Sequence, residues 1–285
     1  MKFLKNTIGI KRLFFLFMGM LLGSCQLDSL SVLSYNIRYA SPNDGPNLWN
    51  HRKGDMIQTL SSLQPDLLGL QEVVHSQLMD LVTEMKDYSY IGVGREDGKT
   101  KGEYSPILFR KDRLKLLESN TFWLSETPNQ ASVGWDAALE RICTYGRFQH
   151  LNSRQEFWIF NTHFDHIGTT ARANAAQLIL DQIERLNSSK LPVVITGDFN
   201  LEPHEEPIQI MQSAFTDVQQ DLSEEAPNFG TFTGFDIETV GDRRIDYIFQ
   251  KGFTLIGKDH LWLKTKTNLW LSDHHPVNAF LEFKN

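Results

Sequence analysis

The sequence predicts a mixed α/β (α+β) fold in which two sheets pack face to face, and three observations carry that prediction. Apolar runs of strand length outnumber the helical stretches, strand and helix patterns are interleaved along the chain, and so many strands fit two packed sheets covered by helices. The composition allows it. With 41% hydrophobic, 22% charged and 11% aromatic residues among 285, the chain has the make-up of a globular protein with a large core, which excludes disordered, fibrous and collagen-like structure. No internal repeat and no low-complexity linker divides it, so residues 30–285 read as one domain.

The first residues stand apart from that domain. Lys2, Lys5, Lys11 and Arg12 form a basic start without an acid, and an apolar run of ten at 13–22 leads to Gly23, Ser24 and Cys25. Residues 1–24 therefore read as a signal peptide. The run is too short for the roughly 20 residues that span a bilayer, and no later segment approaches that length, so no transmembrane helix is expected in the mature chain. Leu22-Gly23-Ser24-Cys25 also resembles a bacterial lipoprotein cleavage box. That makes Cys25 the expected lipid attachment site, 25–29 a short tether, and the location the bacterial cell envelope, anchored to the membrane and facing the periplasm or cell exterior; the alternative is an ordinary secretory signal with an incidental cysteine. With Cys25 acylated, Cys143 has no disulfide partner and reads as a small buried hydrophobe.

The elements follow in order. Residues 30–39 form a buried strand, 55–63 a helix closed by Pro65, 66–70 a strand and 76–85 a helix. Strands are then expected at 88–93, 106–109, 114–122, 142–151 and 156–162. The helix at 170–186 places Ala173, Ala176, Leu178, Ile179, Ile183 and Leu186 near a period of 3.6. Strands at 193–196, 244–249, 254–263 and 277–280 complete the set. The stretch 125–138, rich in Gly, Pro, Asn and Trp, reads as a long loop near the active face.

Charge narrows the partners. The formal net charge of −7 becomes −11 once the four leader cations are gone, and no Lys/Arg run follows Arg12. Tight nonspecific binding of nucleic acid needs a basic stripe, so none is expected.

Polar residues at strand ends carry the chemistry. Asn36 ends an apolar strand in Ser34-Tyr35-Asn36-Ile37-Arg38, Glu72 ends another in Leu70-Gln71-Glu72-Val73, and Asp198 and Asn200 end a third in Thr196-Gly197-Asp198-Phe199-Asn200. Asn161-Thr162-His163-Phe164-Asp165-His166, Arg243-Arg244-Ile245-Asp246-Tyr247 and Ser272-Asp273-His274-His275-Pro276 repeat the theme with imidazole added. Any one of these is an ordinary turn cap; six together are a site. Carboxylates with Asn and no thiolate suit a hard divalent cation, Mg2+ or Mn2+, as one or two ions. Adjacent residues of an extended chain alternate faces, so of His274 and His275 only one reaches the site, and His274 is the expected one.

Taken in order, these motifs resemble the endonuclease/exonuclease/phosphatase superfamily, which includes deoxyribonuclease-type nucleases, apurinic endonucleases, inositol-phosphate phosphatases, bacterial sphingomyelinases and deadenylases. The resemblance implies a four-layer α-β-β-α sandwich and a metal-dependent hydrolase of phosphate esters. It also implies roles. Glu72 is the principal metal ligand, with Asn36 beside it and Asp273 as a further ligand. Asp198 orients or deprotonates the attacking water, and Asn200 holds the nucleophile or a phosphate oxygen. His274 contacts the scissile phosphate and Asp246 orients it; His163 is a second phosphate-facing group, paired with Glu103. A carboxylate behind each imidazole would keep it a proton donor near neutrality.

Three further residues are candidates for substrate contact. Arg172 opens the helix after the Asn161 cluster and either reaches a phosphate or is an exposed helical cation. Trp123 and Trp135 either stack on a sugar, base or choline-like group or pack beneath a loop. The expected substrate is a phosphodiester or phosphomonoester, small or lipid-borne. A secreted nuclease is the alternative, disfavoured by the acidic balance. A silent carbohydrate- or lipid-binding lipoprotein is a weaker one, because it would be expected to break the motifs.

Overall fold

A computed structural model describes residues 29–239, 241 and 243–284. The expected signal peptide at 1–24, Cys25 and residues 26–28 of the tether lie outside the described residues, and Ser29 already begins a strand. The chain runs β1 (Ser29–Asn36), α1 (Trp49–Leu63), β2 (Leu67–Gln71), β3 (Val73–Val74), α2 (His75–Glu84), β4 (Tyr88–Ile91), β5 (Glu103–Tyr104), β6 (Ile107–Arg110), β7 (Leu114–Trp123) and β8 (Ile142–His150). It continues with β9 (Glu156–His163), α3 (Thr169–Leu186), β10 (Val193–Asp198), α4 (Glu206–Ala214), β11 (Thr216–Asp217), β12 (Asp246–Lys251), β13 (Phe253–His260) and β14 (Val277–Phe283). No helix among the described residues is long and apolar enough to cross a membrane.

Two six-stranded mixed sheets result, ordered β13-β14-β1-β2-β6-β4 and β11-β12-β10-β9-β8-β7, with β3 and β5 as a separate pair. Each large sheet holds one parallel pair, β1/β2 in the first and β9/β10 in the second, flanked by antiparallel neighbours. A parallel pair needs a crossover, and α1 and α3 supply the two. The layers follow from which face each apolar residue takes. Leu30, Val32, Leu67 and Ile107 meet Phe157, Ile159, Val194 and Ile248 between the sheets. Leu33, Tyr35, Leu68 and Leu70 pack outward on Met56, Leu60, Leu78 and Leu81 of α1 and α2, and Phe160, Ile195 and Phe249 pack outward on Ala176, Ile179 and Met211 of α3 and α4. The α-β-β-α sandwich is thereby formed.

Toward one end the inter-sheet layer turns polar. Asn161 donates to the carbonyls of Leu70 (2.7 Å) and Pro106 (2.9 Å), while its Oδ1 accepts from Gln71 Nε2 (2.8 Å) and Thr196 Oγ1 (2.9 Å). Ser34 Oγ accepts the amide of Gly197 at 3.0 Å. Asn161 and Gln71 of the strand-end motifs thus tie the two sheets together beneath the site rather than line it. Gly69 lies against this layer, and a β-carbon there would meet Thr196 Oγ1 at 2.0 Å, which explains why the position carries no side chain.

Several boundaries differ from the sequence expectation. α1 begins at Trp49 rather than at 55, because its buried face runs Trp49, Arg52, Met56 and Leu60, and a buried arginine hides the apolar period. α4 was not anticipated: it has nine residues with Pro207 in its first turn, a stop signal inside a helix but a tolerated start. β12 begins at Asp246 rather than 244, where Arg244 instead pairs with Asp217 at 2.8 Å. Cys143 is fully buried and free, as expected of a small core residue.

Candidate active site

The parallel pair of each sheet ends at the same place. Asn36 and Gln71 are cross-strand partners at the ends of β1 and β2, and His163 and Asp198 are partners at the ends of β9 and β10. Open α/β sheets place ligands beyond the carboxyl ends of their strands, and here two such edges face each other. Just past three of these strands the backbone turns left-handed at a residue with a side chain: Arg38 (φ 57°), Glu72 (φ 59°) and Asn200 (φ 53°). Such strain persists where the surroundings hold it, typically at functional sites. The result is a cleft of about 420 Å3, lined among others by Arg38, Glu72, Glu103, Arg141, His163, Asp198, Asn200, Asp273 and His274.

One amide joins the two sheets across the cleft floor. Asn36 Nδ2 donates to Glu72 Oε1 at 3.0 Å and to Asp198 Oδ2 at 2.9 Å, while its Oδ1 accepts the Arg38 amide at 2.9 Å. Glu72 Oε2 takes the Tyr39 amide at 3.1 Å, and Asp198 Oδ1 takes the Asn200 amide at 2.9 Å. Glu72 and Asp198 are therefore each held in one orientation by neutral donors.

His274 stands between two acids. Its Nδ1 donates to Asp246 Oδ2 at 2.8 Å and its Nε2 is 3.7 Å from Asp198 Oδ2. Burial pulls its pKa down, but the Asp246 and Asp198 charges outweigh burial and push it up to about 10, so the ring is an imidazolium at neutral pH. Asp198 is pushed up to about 7, by burial first and by the Asp246 charge second. His275 packs edge-on against Trp270 at 4.6 Å between centroids, so His274 is the imidazole in the site.

The second imidazole differs from the expectation. His163 Nε2 is held by Asn200 Nδ2 at 3.1 Å, which places the proton on Nδ1. Glu103 approaches Nδ1 only to 3.9 Å, because both its oxygens are taken by Arg95 at 2.8 and 3.2 Å. The expected Glu103–His163 pair is thus a long contact of 3.9 Å and not a hydrogen bond. Burial, followed by the Arg141 and Arg95 charges, holds His163 well below its ordinary pKa, so it is a neutral ring and not a second imidazolium.

The acids nevertheless cluster closely enough to be a candidate cation site. Glu72, His163 and Asp198 offer ligand atoms within 4.8 Å of one another; Asp198, Asp246 and His274 lie as close, but the charged His274 ring has no lone pair to give. Glu72 and Asp273 meet instead across the Arg38 guanidinium, at 3.8 and 3.9 Å, with Asp44 gripping the same group from behind at 3.1 and 3.2 Å. Burial first, and then Glu72 among the nearby acids, pushes the Asp273 carboxyl up. Crowded carboxylate oxygens with one Asn are the donor set of a hard divalent ion, so the residues present fit such a cofactor.

Other expected contacts lie elsewhere. Trp123 ends β7 almost fully buried, its Nε1 donating to the Arg95 carbonyl at 2.6 Å, so it supports the arginine that captures Glu103. Trp135 is half-buried, and its amide donates to Glu126 at 3.1 Å. Arg172 turns back to the Asp165 carbonyl at 3.5 Å. None of the three lines the cleft. Residues that do, and that are not among the candidates, are Arg38, Tyr39, Leu139, Arg141, His166, Phe232, Arg243 and Ile245. Arg38, His166 and Arg243 lie inside the quoted motifs, but Arg141 and Phe232 carry no local signal.

Similarity to known proteins agrees with this geometry. A model of the Endonuclease/Exonuclease/phosphatase family matches residues 33–274. A mannosyl-6-phosphatase of Bacteroides thetaiotaomicron is 36% identical with a TM-score of 0.83, over 89% of this chain and 100% of that one. A functionally unknown conserved protein of Enterococcus faecalis is 29% identical with a TM-score of 0.83, over 90% of this chain and 100% of that one. Among curated relatives, Nocturnin of Xenopus laevis is 26% identical over 78% of this chain, and this chain spans 59% of its length; for protein angel of Drosophila melanogaster the figures are 25%, 71% and 59%.

Proposed function

This chain belongs to the endonuclease/exonuclease/phosphatase family, and from that premise we propose that it hydrolyses the phosphate ester of a small polar molecule in the cleft, with Mg2+ or Mn2+ as cofactor. The observation that carries the reading is His274, held as an imidazolium between Asp246 and Asp198 on the cleft floor. A phosphate ester repels nucleophiles, so its transition state needs positive charge and donors on the phosphoryl oxygens. His274 supplies one such donor, and Asp246 keeps the proton on it. Asp198, with a pKa near neutrality, orients a water and receives its proton as the bond to phosphorus forms and the ester P–O bond breaks, the departing oxygen leaving as the alcohol with a proton from solvent. The Asn200 side-chain oxygen accepts from the water, its amide nitrogen being taken by His163 Nε2 and the Phe164 carbonyl, and the Nδ1–H of neutral His163 remains as a donor. A divalent ion held by Glu72, Asn36 and Asp273 supplies Lewis acidity to the phosphoryl group and leaving oxygen when bound.

The small-molecule reading is supported by the limited cleft volume of about 420 Å3, by the net charge of −7, and by the 36% identity to a mannosyl-6-phosphatase. If the leader and Cys25 act as a lipoprotein signal, the protein sits on an envelope membrane, and Cys25→Ser releases it from the membrane fraction. The central experiment is a phosphoester panel of sugar phosphates, sphingomyelin and nucleic acids with Mg2+, Mn2+ or EDTA. Metal-dependent release of phosphate from sugar phosphates is expected. Hydrolysis undiminished in excess EDTA overturns the mechanism, and preferential cleavage of DNA or RNA, with a salt-dependent electrophoretic shift, replaces the substrate reading with that of a nuclease.

A further inference from the structure

The Asp165-His166 pair plays no part in the chemistry above, yet both residues are tied into the cleft. Asp165 lies in the loop between β9 and α3, its Oδ1 accepting the amides of Ile167 (3.0 Å) and Gly168 (2.8 Å). Its Oδ2 receives Arg141 Nε at 3.3 Å. Arg141 Nη2 in turn reaches His166 Nδ1 at 3.0 Å. A guanidinium only donates, so His166 Nδ1 is the acceptor and its proton sits on Nε2. That ring is half-exposed and lines the cleft, and Nε2 has no acceptor among the described residues. Arg141 is 4% exposed, and its Nη1 is likewise buried without an acceptor among the described residues.

A buried guanidinium with a spare N–H next to a fixed outward N–H donor is a site for an anionic oxygen. It adjoins the reacting groups: the Arg141 charge bears on His163, whose Nε2 is 3.6 Å from Asp198 Oδ2. The supporting loop is hydrogen-bonded at both ends. Asp165 is pushed up by burial, but the Gly168 and Ile167 amides outweigh that and hold its carboxyl at about 2. Asp136 caps the start of α3 through the amides of Thr170 (3.2 Å) and Ala171 (2.7 Å), which fixes the segment leading to Arg141.

We propose that Asp165, Arg141 and His166 form an anion-gripping arm that selects phosphomonoesters over phosphodiesters. A monoester carries one more unesterified, charged oxygen than a diester, and the arm supplies the donors for it. In a diester that oxygen bears carbon, which leaves the arm's donors unmatched. His166 and Arg141 are positioning residues here: they hold the phosphoryl group while Asp198 and His274 act on it. The inference rests on the phosphoesterase reading, so its test needs one readout that does not depend on turnover.

Inorganic phosphate is titrated into the metal-loaded protein by calorimetry, and para-nitrophenyl phosphate is compared with bis(para-nitrophenyl) phosphate as substrate. His166→Ala is expected to weaken phosphate binding at least about tenfold and to lower the monoester-to-diester ratio of kcat/KM by a similar factor, while His166→Gln, which retains an N–H, recovers part of both. Arg141→Met is expected to do the same; since that residue is buried, the exposed His166 variants decide if it does not fold. Unchanged phosphate affinity, or an unchanged ratio, in His166→Ala overturns the arm. A wild-type protein that binds phosphate through His166 yet hydrolyses neither ester supports the arm and overturns the phosphoesterase reading instead.

Discussion

Asp198 and Asp246 face each other directly across the antiparallel pair β10/β12, two carboxylates on opposed strands at the floor of the cleft. Like charges so placed repel, and His274 resolves the conflict by standing between them, 2.8 Å from Asp246 and 3.7 Å from Asp198. The arrangement keeps the His274 ring charged and raises the Asp198 carboxyl toward neutrality. It also sets the pH dependence.

His274 is raised from 6.5 to about 10, so its contribution to stability is complete below about 6.5 and lost as pH rises through about 10. The activity is therefore expected to fall on an alkaline limb near that value. Asp246→Asn removes the largest upward influence on the ring, so the limb moves toward neutral and turnover at neutral pH drops by about 10² to 10⁴. A pH–rate profile of the two proteins checks it; an alkaline limb left in place would show that another group produces it.

Metal binding should appear as stabilisation. Glu72 is held by the neutral donors of Asn36 and Tyr39 and Asp273 by the Ser272 hydroxyl, while the Arg38 guanidinium comes no nearer than 3.8 and 3.9 Å, so a divalent ion finds carboxylate charge still to be neutralised. Addition of Mg2+ or Mn2+ is expected to raise the Tm of the wild-type protein by mass action, and Glu72→Gln is expected to abolish the rise. Asp198→Ala is expected to lose at least about 10³ in turnover while keeping the fold. Differential scanning calorimetry with and without metal, beside steady-state kinetics, separates the two effects.

Much of this site was legible because a polar residue closing an apolar run stands out against the run, as Asn36, Glu72 and Asp198 do. The facing sheets follow from strand number. What stayed hidden depends on contacts distant in sequence. Glu103 looks like a partner for His163, but Arg95 lies nearer and is delivered by a β7 tryptophan that resembles a loop residue. Arg141 enters the cleft through a bond to Asp165, which no local pattern announces. The start of α1 was obscured because Arg52, the polar member of its buried face, breaks the apolar period.

Arg52 itself supplies a prediction. It is 1% exposed and donates to the carbonyls of Asn47 (2.8 Å), Ile37 (2.6 Å), Leu271 (2.9 Å) and Arg38 (2.8 Å), so it staples the end of β1 to the loop carrying Asp273. Arg52→Met leaves those carbonyls unpaired and is expected to destabilise by about 3 to 5 kcal/mol in chemical denaturation. Arg52→Lys recovers little, because an ammonium cannot span the same fork of acceptors. Loss of less than about 1 kcal/mol in both would mean that the loops hold without the staple.

The polar layer between the sheets is the most exacting part of the fold, and Gly69 tests it. A β-carbon at this position would lie 2.0 Å from Thr196 Oγ1 and 2.7 Å from Asn161 Oδ1, both in the network that ties β2 to β9 and β10. Neither neighbour retreats without cost, since Thr196 Oγ1 donates to Asn161 Oδ1 and that oxygen also accepts from Gln71. Gly69→Ala is therefore expected to cost about 3 kcal/mol by overpacking. Its functional effect should exceed that of an equally destabilising change far from the cleft. Three residues on from Gly69 is Glu72, and across the same layer is Asp198; both are held by Asn36 at 3.0 and 2.9 Å. Pushing the sheets apart lengthens that bridge, so metal affinity measured by calorimetry should fall at least about tenfold in the folded variant. Retention of wild-type metal affinity by a destabilised Gly69→Ala protein would show that the sheet spacing and the geometry of the acids are set independently.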